Sequence, residues 1–183
     1  SNAPTNGSFL SAQSGNTGGL TWAAVPPPRT LISTTTVSDD GTVLIEGLDD
    51  TYYQYQFVMT DMLNTNSTNQ LLMRFKSGGS IDSTNGNYNF ANIKMQSTST
   101  SVTGQMSSTY TSYISLTQSM DTAAPDAALI IFDIFDPAGT THSTKGFGTG
   151  LNLVNTVLFT MRHTFAYEPA AAVTGVQFLA SRT

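Results

Sequence analysis

Hydrophobic and polar residues alternate along several short stretches of this chain. In residues 53–60 every second side chain is aromatic or apolar, and the residues between them are mostly polar. The same alternation runs through residues 70–76 and, over a longer distance, through residues 157–167. Successive side chains of a strand point to opposite sides, so this alternation predicts strands with one buried face.

Other stretches carry weaker strand signals, and turn residues separate them. No stretch shows three turns of an amphipathic helix. Many short strands without intervening helices predict an all-β fold, and we expect an antiparallel, jelly-roll-like β-sandwich with an extended N-terminal arm. The predicted strands are residues 30–37, 42–46, 53–62, 69–77, 88–96, 110–116, 128–136, 143–149, 156–167 and 173–179.

Polar stretches between the strands are predicted as loops. Loops can vary without disturbing a core, so recognition is expected there, with Tyr88 and His142 as candidate ligand or receptor contacts. The sequence Gly-Phe-Gly-Thr-Gly at residues 146–150 lacks the lysine and the helix of a phosphate-binding loop, and we interpret it as a flexible turn. The longest predicted loops are residues 79–90, 99–109 and 137–150.

The N-terminal part differs from the rest of the chain. It is rich in Gly, Ser, Asn and Pro and shows no sustained periodicity, which favours an extended arm over a packed element. We therefore divide the chain into a flexible or extended attachment arm, residues 1–29, and a sandwich domain, residues 30–183. Consecutive prolines at 26–28 stiffen the end of the arm. Trp22 is expected to dock the arm onto a neighbouring surface.

Composition and charge narrow the choice of partners. Only 10% of the residues are charged, against roughly 25% in ordinary globular chains, so hydroxyl and amide groups must supply the surface polarity. The net charge of −5 disfavours nucleic acid, because the attraction to phosphates would be missing. No apolar run reaches the roughly 18 residues of a membrane helix, and no membrane insertion is expected. Cysteine is absent, so stability must come from packing or assembly.

Residues that could support catalysis or hold a metal are few. Of the two histidines, His163 is in phase with apolar neighbours and is expected in or near the core. The acid pairs at 39–40 and 49–50 lie close to glycines, and we interpret them as turn residues. Zinc is not expected without cysteine, whereas calcium bound by the aspartates stays open. The sequence predicts no catalytic residue and no cofactor, and the protein is not expected to be an enzyme.

Two stretches resemble a known family. Residues 30–62, TLISTTTVSDDGTVLIEGLDDTYYQYQFVMTDM, resemble the opening of a family of small β-domains in tail and other virion proteins of tailed bacteriophages, especially those of marine bacteria. Residues 173–181, VTGVQFLAS, resemble the family's penultimate strand, which a Gly-rich turn and one more strand usually follow. The chain ends at Thr183, so the resemblance implies a last strand that is missing here or is replaced by a partner.

The resemblance also implies a role. It predicts a non-enzymatic virion structural protein on the tail or head surface, whose arm binds other virion proteins. Its sandwich would act as a tail fibre or adhesin head that binds a host surface polysaccharide or receptor. A capsid decoration or head-fibre protein is one alternative, and a free carbohydrate-binding, lectin-like module is another.

Residues 128–136 bear on assembly because they are apolar on both faces. A strand with one wet face should not show this pattern, so the second face needs cover. The low charge offers little repulsion between identical chains, and the resemblance to phage appendages implies three copies. We expect a homotrimer with Ile131 and Phe135 at or near the subunit contact, and Trp22 is a further candidate contact residue. In the alternative, Trp22 and the proline segment cover this face within one chain.

Overall fold

The structure is a computed structural model, and the chain divides into two compact units, Ser1–Ser38 and Asp39–Thr183. The first unit ends at Ser38, whereas the predicted arm ends at residue 29, and the division at residue 29 stays a prediction. The described residues are 8–12, 20–24, 29–38, 41–64, 66, 69–106, 111–117, 120–122, 127–154 and 156–181.

The first unit contains a pair of short strands. Strand β1 (Ser8–Ala12) runs antiparallel to β2 (Leu20–Ala24), with Leu10 opposite Trp22. The side chain of Trp22 and residues 25–28 lie outside the described part of the chain. The expectation that they cover the second apolar face therefore stays untested.

Residues 29–38 form no strand and are exposed along their whole length. The predicted strand at 30–37 is therefore wrong, although its β-branched composition suits a sheet. A strand needs a hydrogen-bonded neighbour, and no strand in the described ranges pairs with this segment.

The second unit is a β-sandwich of two antiparallel sheets, which confirms the predicted fold class. One sheet has the strand order β4-β10-β11-β12-β7-β8, and the other has the order β3-β13-β5-β6, with β9 also paired to β5. The strands are β3 (Thr42–Glu46), β4 (Gln54–Met62), β5 (Leu71–Ser77), β6 (Ser80–Ile81), β7 (Tyr88–Gln96), β8 (Thr103–Met106), β9 (Ile114–Ser115), β10 (Ala128–Phe135), β11 (Thr144–Val154), β12 (Val157–Tyr167) and β13 (Val173–Ala180).

The chain passes from one sheet to the other at most of its connections, in a jelly-roll-like arrangement. The long β11–β12 hairpin lies between β10 and β7 and widens the six-stranded sheet. Strand β13 pairs with β3 on one side and with β5 on the other. The strand that the resemblance would place after residue 181 lies outside the described residues.

The core lies between the inner faces of the two sheets. On β10, Ile130, Phe132 and Ile134 point inward and are fully buried. The ring of Phe132 stacks on Phe57 at 4.9 Å between centroids and meets Phe178 of the opposite sheet at 6.0 Å. Each large apolar side chain that is fully buried stabilises the fold by about 1.5–3 kcal/mol, so this layer holds the sandwich together.

Glycines line the inner face of β11, and they explain how the aromatic core fits. A Cβ on Gly146 would lie 2.2 Å from Cζ of Phe165, and one on Gly148 would lie 2.4 Å from Cβ of Phe132. The missing side chains therefore leave room for rings from both neighbouring strands. Residues 146–150 lie within β11, so the expected flexible turn is wrong. Their glycines serve close packing within a strand.

Candidate functional site

The outer face of the six-stranded sheet, which points away from the five-stranded sheet, is the main candidate surface. Cross-strand neighbours place Val58 opposite Ile131 and Leu129 opposite Leu151 on this face. Val58 is 56% exposed. We call the apolar part of this face the aliphatic half; it comprises Val58, Ile93, Met95, Leu129, Ile131, Leu151 and Leu158.

Polar residues interrupt the aliphatic half but add little charge. Thr149 and Thr160 lie between its side chains, and Arg162 pairs with Ile93 across β12 and β7. Arginine is the charged residue most often found at protein interfaces, since its planar head stacks on apolar groups. This surface therefore has the composition of a contact region.

The other part of the outer face, which we call the aromatic half, holds three rings and several polar groups. The rings are those of Tyr53, Phe135 and Phe147. Phe135 stacks on Phe147 with centroids 5.4 Å apart and planes inclined by 23°. The polar members are Gln54, Gln56, Asp133 and Lys145.

Two of the residues predicted at a subunit contact lie on this face, one on each half. Ile131 belongs to the aliphatic half and Phe135 to the aromatic half, and both are half-buried in the single chain. The sequence pattern of β10 alone therefore found this face. The sequence analysis did not identify Val58 or Phe147 as part of this face. Val58 lies on the predominantly polar side of the alternating strand β4, and Phe147 lies in the glycine-rich stretch that was interpreted as a turn.

Tyr88, a predicted surface contact, instead lies in the core. It is the first residue of β7 and points inward, so its side chain is fully buried. Its hydroxyl donates to the carbonyl oxygen of Asp82 (2.7 Å) and accepts from the backbone N–H of Phe75 (2.9 Å). Burial raises the pKa of this phenol. Because a buried ring cannot touch a receptor, the prediction for Tyr88 is wrong.

His142, the other predicted contact, is exposed in the connection before β11. Its Nδ1 lies 2.8 Å from the hydroxyl of Thr141. The side chain is accessible, and its role in recognition stays a prediction.

A polar cleft of about 410 Å³ lies beside the β5–β6 turn, lined by residues including Asp82 and Tyr167. The carboxylate of Asp82 accepts hydrogen bonds from the Tyr167 hydroxyl (2.6 Å), the Asn87 amide (2.6 Å) and the Thr84 backbone (2.7 Å). Burial raises the pKa of Asp82, but these hydrogen bonds outweigh it and hold the pKa below its usual value. The carboxylate of Asp82 thus holds three residues that line the cleft in place through hydrogen bonds.

His163 lies between the sheets, as the apolar phase of its neighbours predicted. It is 1% exposed, and its Nδ1 lies 3.1 Å from Oδ1 of Asn92. Burial lowers its pKa from 6.5 to about 4, because the charged imidazolium would lose its hydration. Its Nε2 is buried without a hydrogen-bond partner in the described part of the chain. The neutral ring is a core component.

The acid pair at 49–50 contains a carboxylate with partners close to it in the chain. Asp49 accepts hydrogen bonds from the backbone N–H of Thr51 (2.9 Å) and from the hydroxyl of Tyr55 (2.8 Å). Both bonds lower the pKa of Asp49, and the bond from the Thr51 backbone has the larger effect. This confirms Asp49 as a turn residue, whereas residues 39–40 lie outside the described ranges. Among described residues, no group of three or more His, Cys, Asp or Glu is placed to hold a metal ion.

Comparisons with known proteins returned no relative. No family model, no curated protein and no solved structure matches this chain. In the described residues, no helix is long and apolar enough to span a membrane.

Proposed function

We propose that this chain is a non-enzymatic structural protein of a tailed-bacteriophage particle, exposed on the virion surface as a tail fibre or adhesin head. The resemblance of residues 30–62 and 173–181 supports the phage assignment. The architecture is compatible with it, because a rigid sandwich presents surfaces and loops without moving parts.

The observation that carries the assembly part of the proposal is the aliphatic half of the outer face. Single apolar side chains on a surface are normal, but several on one face are typical of protein contacts. The outer face of the five-stranded sheet is different, since Lys76 and Glu46 form an ion pair there. Among the described residues, the outer faces of the two sheets thus expose different chemistry, and the larger apolar surface on the six-stranded sheet favours a partner.

A homotrimer is the assembly we propose for this face. A threefold axis can bring the aliphatic half of each copy against its two neighbours, and the resemblance to phage appendages favours three copies. Three heads on one axis would also strengthen attachment to a repetitive host surface through avidity. In this arrangement the N-terminal arm binds other virion proteins.

A matched pair of variants tests the assembly. Val58→Asp places a carboxylate in the aliphatic half on edge strand β4. Leu44→Asp makes the same change on edge strand β3, at a side chain that is 43% exposed. Burying an unpaired charge at a contact is costly, so Val58→Asp should dissociate the assembly while Leu44→Asp leaves it intact.

Light scattering at micromolar concentration measures the outcome. The parent and Leu44→Asp should have about three times the chain mass of 19.5 kDa, and Val58→Asp should have about one chain mass. A single-chain mass for the parent contradicts the intrinsic trimer.

The place of the protein in the particle is tested separately. Immunogold labelling of purified phage particles with antibodies to the sandwich should mark the tail. Labelling of the capsid would support the decoration or head-fibre alternative, and unlabelled particles would support the free lectin-like module.

A further inference from the structure

The aromatic half of the outer face presents rings to solvent without a covering element in the described chain. Tyr53 is 71% exposed and Phe147 is 54% exposed. Tyr53 lies 6.5 Å from Phe135 between ring centroids, and Phe135 in turn stacks on Phe147. The three rings therefore form a continuous row across the ends of β4, β10 and β11.

Hydrogen-bonding groups stand directly beside this row. Asp133 is the cross-strand neighbour of both Gln56 and Phe147, so carboxylate, amide and ring share one level of the sheet. The amides of Gln54 and Gln56 donate to Oδ1 of Asp133 at 3.0 and 3.1 Å. These bonds fix the carboxylate beside the rings in a defined orientation.

The pairing also leaves capacity for a ligand. An ionised carboxylate has roughly four acceptor sites on its two oxygens, and both amides bond to the same oxygen. The side-chain amide of Gln54 carries an oxygen that can accept as well. Lys145, the cross-strand neighbour of Phe135, adds a donor and offsets the charge of Asp133.

This combination matches a sugar ring. A pyranose has C–H groups that pack on aromatic faces and hydroxyls around its rim that bond to carboxylate and amide groups, and aromatic burial supplies the affinity. We propose that the aromatic half is a binding site for a neutral saccharide, with Tyr53, Phe135 and Phe147 as the stacking platform and Asp133 as the hydroxyl acceptor. One negative and one positive side chain give the site no net charge, which disfavours strongly acidic glycans.

The inference rests on the proposed attachment role and adds the ligand class and its location. It also assigns the two halves of the outer face different tasks. The aliphatic half has the hydroxyls of Thr149 and Thr160, rather than a carboxylate, between its apolar groups and faces another copy, whereas the aromatic half faces the ligand.

Binding to an oligosaccharide array that carries neutral and acidic glycans tests the site. The parent protein should bind at least one neutral oligosaccharide. Phe147→Ala and Tyr53→Ala should each weaken that binding by about fivefold or more, because each variant removes one ring of the stacking platform. Leu44→Ala, on the outer face of the five-stranded sheet and outside both halves, is the control and should bind like the parent.

Melting temperatures of the variants separate lost binding from lost folding. Tyr53 is the more exposed ring, so Tyr53→Ala tests the site even where Phe147→Ala is unstable. The inference is overturned if no neutral oligosaccharide binds, if only acidic ones bind, or if a folded Tyr53→Ala binds as the parent does. A Phe147→Ala protein that becomes a single chain in light scattering would also overturn it, since the rings would then be a subunit contact. The trimer itself is judged by the Val58 and Leu44 variants, so the two proposals fail independently.

Discussion

Both faces of the six-stranded sheet carry apolar side chains, yet within the described residues only the inner face is covered by another element. On β10, inward-pointing Phe132 is fully buried, while outward-pointing Ile131 is half-buried beside exposed Val58. The sandwich needs the inner face for its core and does not need the outer one. The difference supports the proposal that the outer residues serve a contact outside the single chain.

The outer face of the five-stranded sheet carries charged and hydrogen-bonded side chains instead. There Lys76 pairs with Glu46, and Arg74 donates its Nε–H to the carbonyl oxygen of Ser112 at 2.9 Å. Both sheets thus supply the same core, and their outer faces differ in charge and hydrogen bonding.

The largest expected effect sharpens the inner–outer contrast on a single strand. Phe132→Ala should lower the free energy of unfolding by about 3–5 kcal/mol, because it leaves a cavity among Phe57, Phe165 and Phe178. Ile131→Ala should cost about 1 kcal/mol or less in the isolated chain. Urea unfolding in the Val58→Asp background measures both without assembly. Equal losses would mean that the outer face is packed within the chain.

The second effect compares the buried and the exposed histidine. The pKa of His163 is about 4 in the folded chain and near 6.5 when unfolded, so the folded state binds the proton more weakly. The contribution of His163 to the free energy of unfolding is therefore complete above pH 6.5. It falls by about 3 kcal/mol as the pH is lowered from 6.5 towards 4.

His163→Gln should remove this part of the pH dependence, and His142→Gln should leave it unchanged. Urea unfolding at about pH 7.5 and about pH 4.5 gives the difference for each protein. If the free energy of unfolding of His163→Gln falls between the two pH values as much as that of the parent does, other groups cause the acid sensitivity.

A smaller effect concerns the glycines of β11. Gly148→Ala puts a methyl group 2.4 Å from the carbonyl oxygen of Ile131 and should destabilise the fold by about 1–3 kcal/mol. Gly104→Ala in β8 has nothing within 4 Å and should change stability by less than about 1 kcal/mol. Thermal unfolding of both variants checks the pair. A neutral Gly148→Ala would mean that the inner face is loosely packed at this strand.

Sequence alternation predicted the sandwich because each strand carries a local record of its buried face. It also placed Ile131 on a second apolar face and His163 in the core. It failed for Tyr88, because a tyrosine at the end of a polar stretch can point into the core or into solvent. Only the pairing of β7 determines which of the two directions its side chain takes. It failed for residues 146–150 because glycine in a turn and glycine under an aromatic ring look alike in sequence. The aromatic half could not be predicted, since Tyr53, Phe135 and Phe147 come together only through strand register.

The most direct test of the outer face as a contact surface uses the absence of cysteine from the chain. Single-cysteine variants Val58→Cys and Leu44→Cys place one thiol on the outer face of each sheet, and a thiol reagent reports how accessible it is. In one chain the Val58 side chain is the more exposed, 56% against 43% for Leu44. At micromolar concentration we predict that the thiol at 58 reacts about tenfold or more slowly than the thiol at 44, and that dilution removes the difference. Equal rates, or a faster reaction at 58 at every concentration, would contradict a covered outer face.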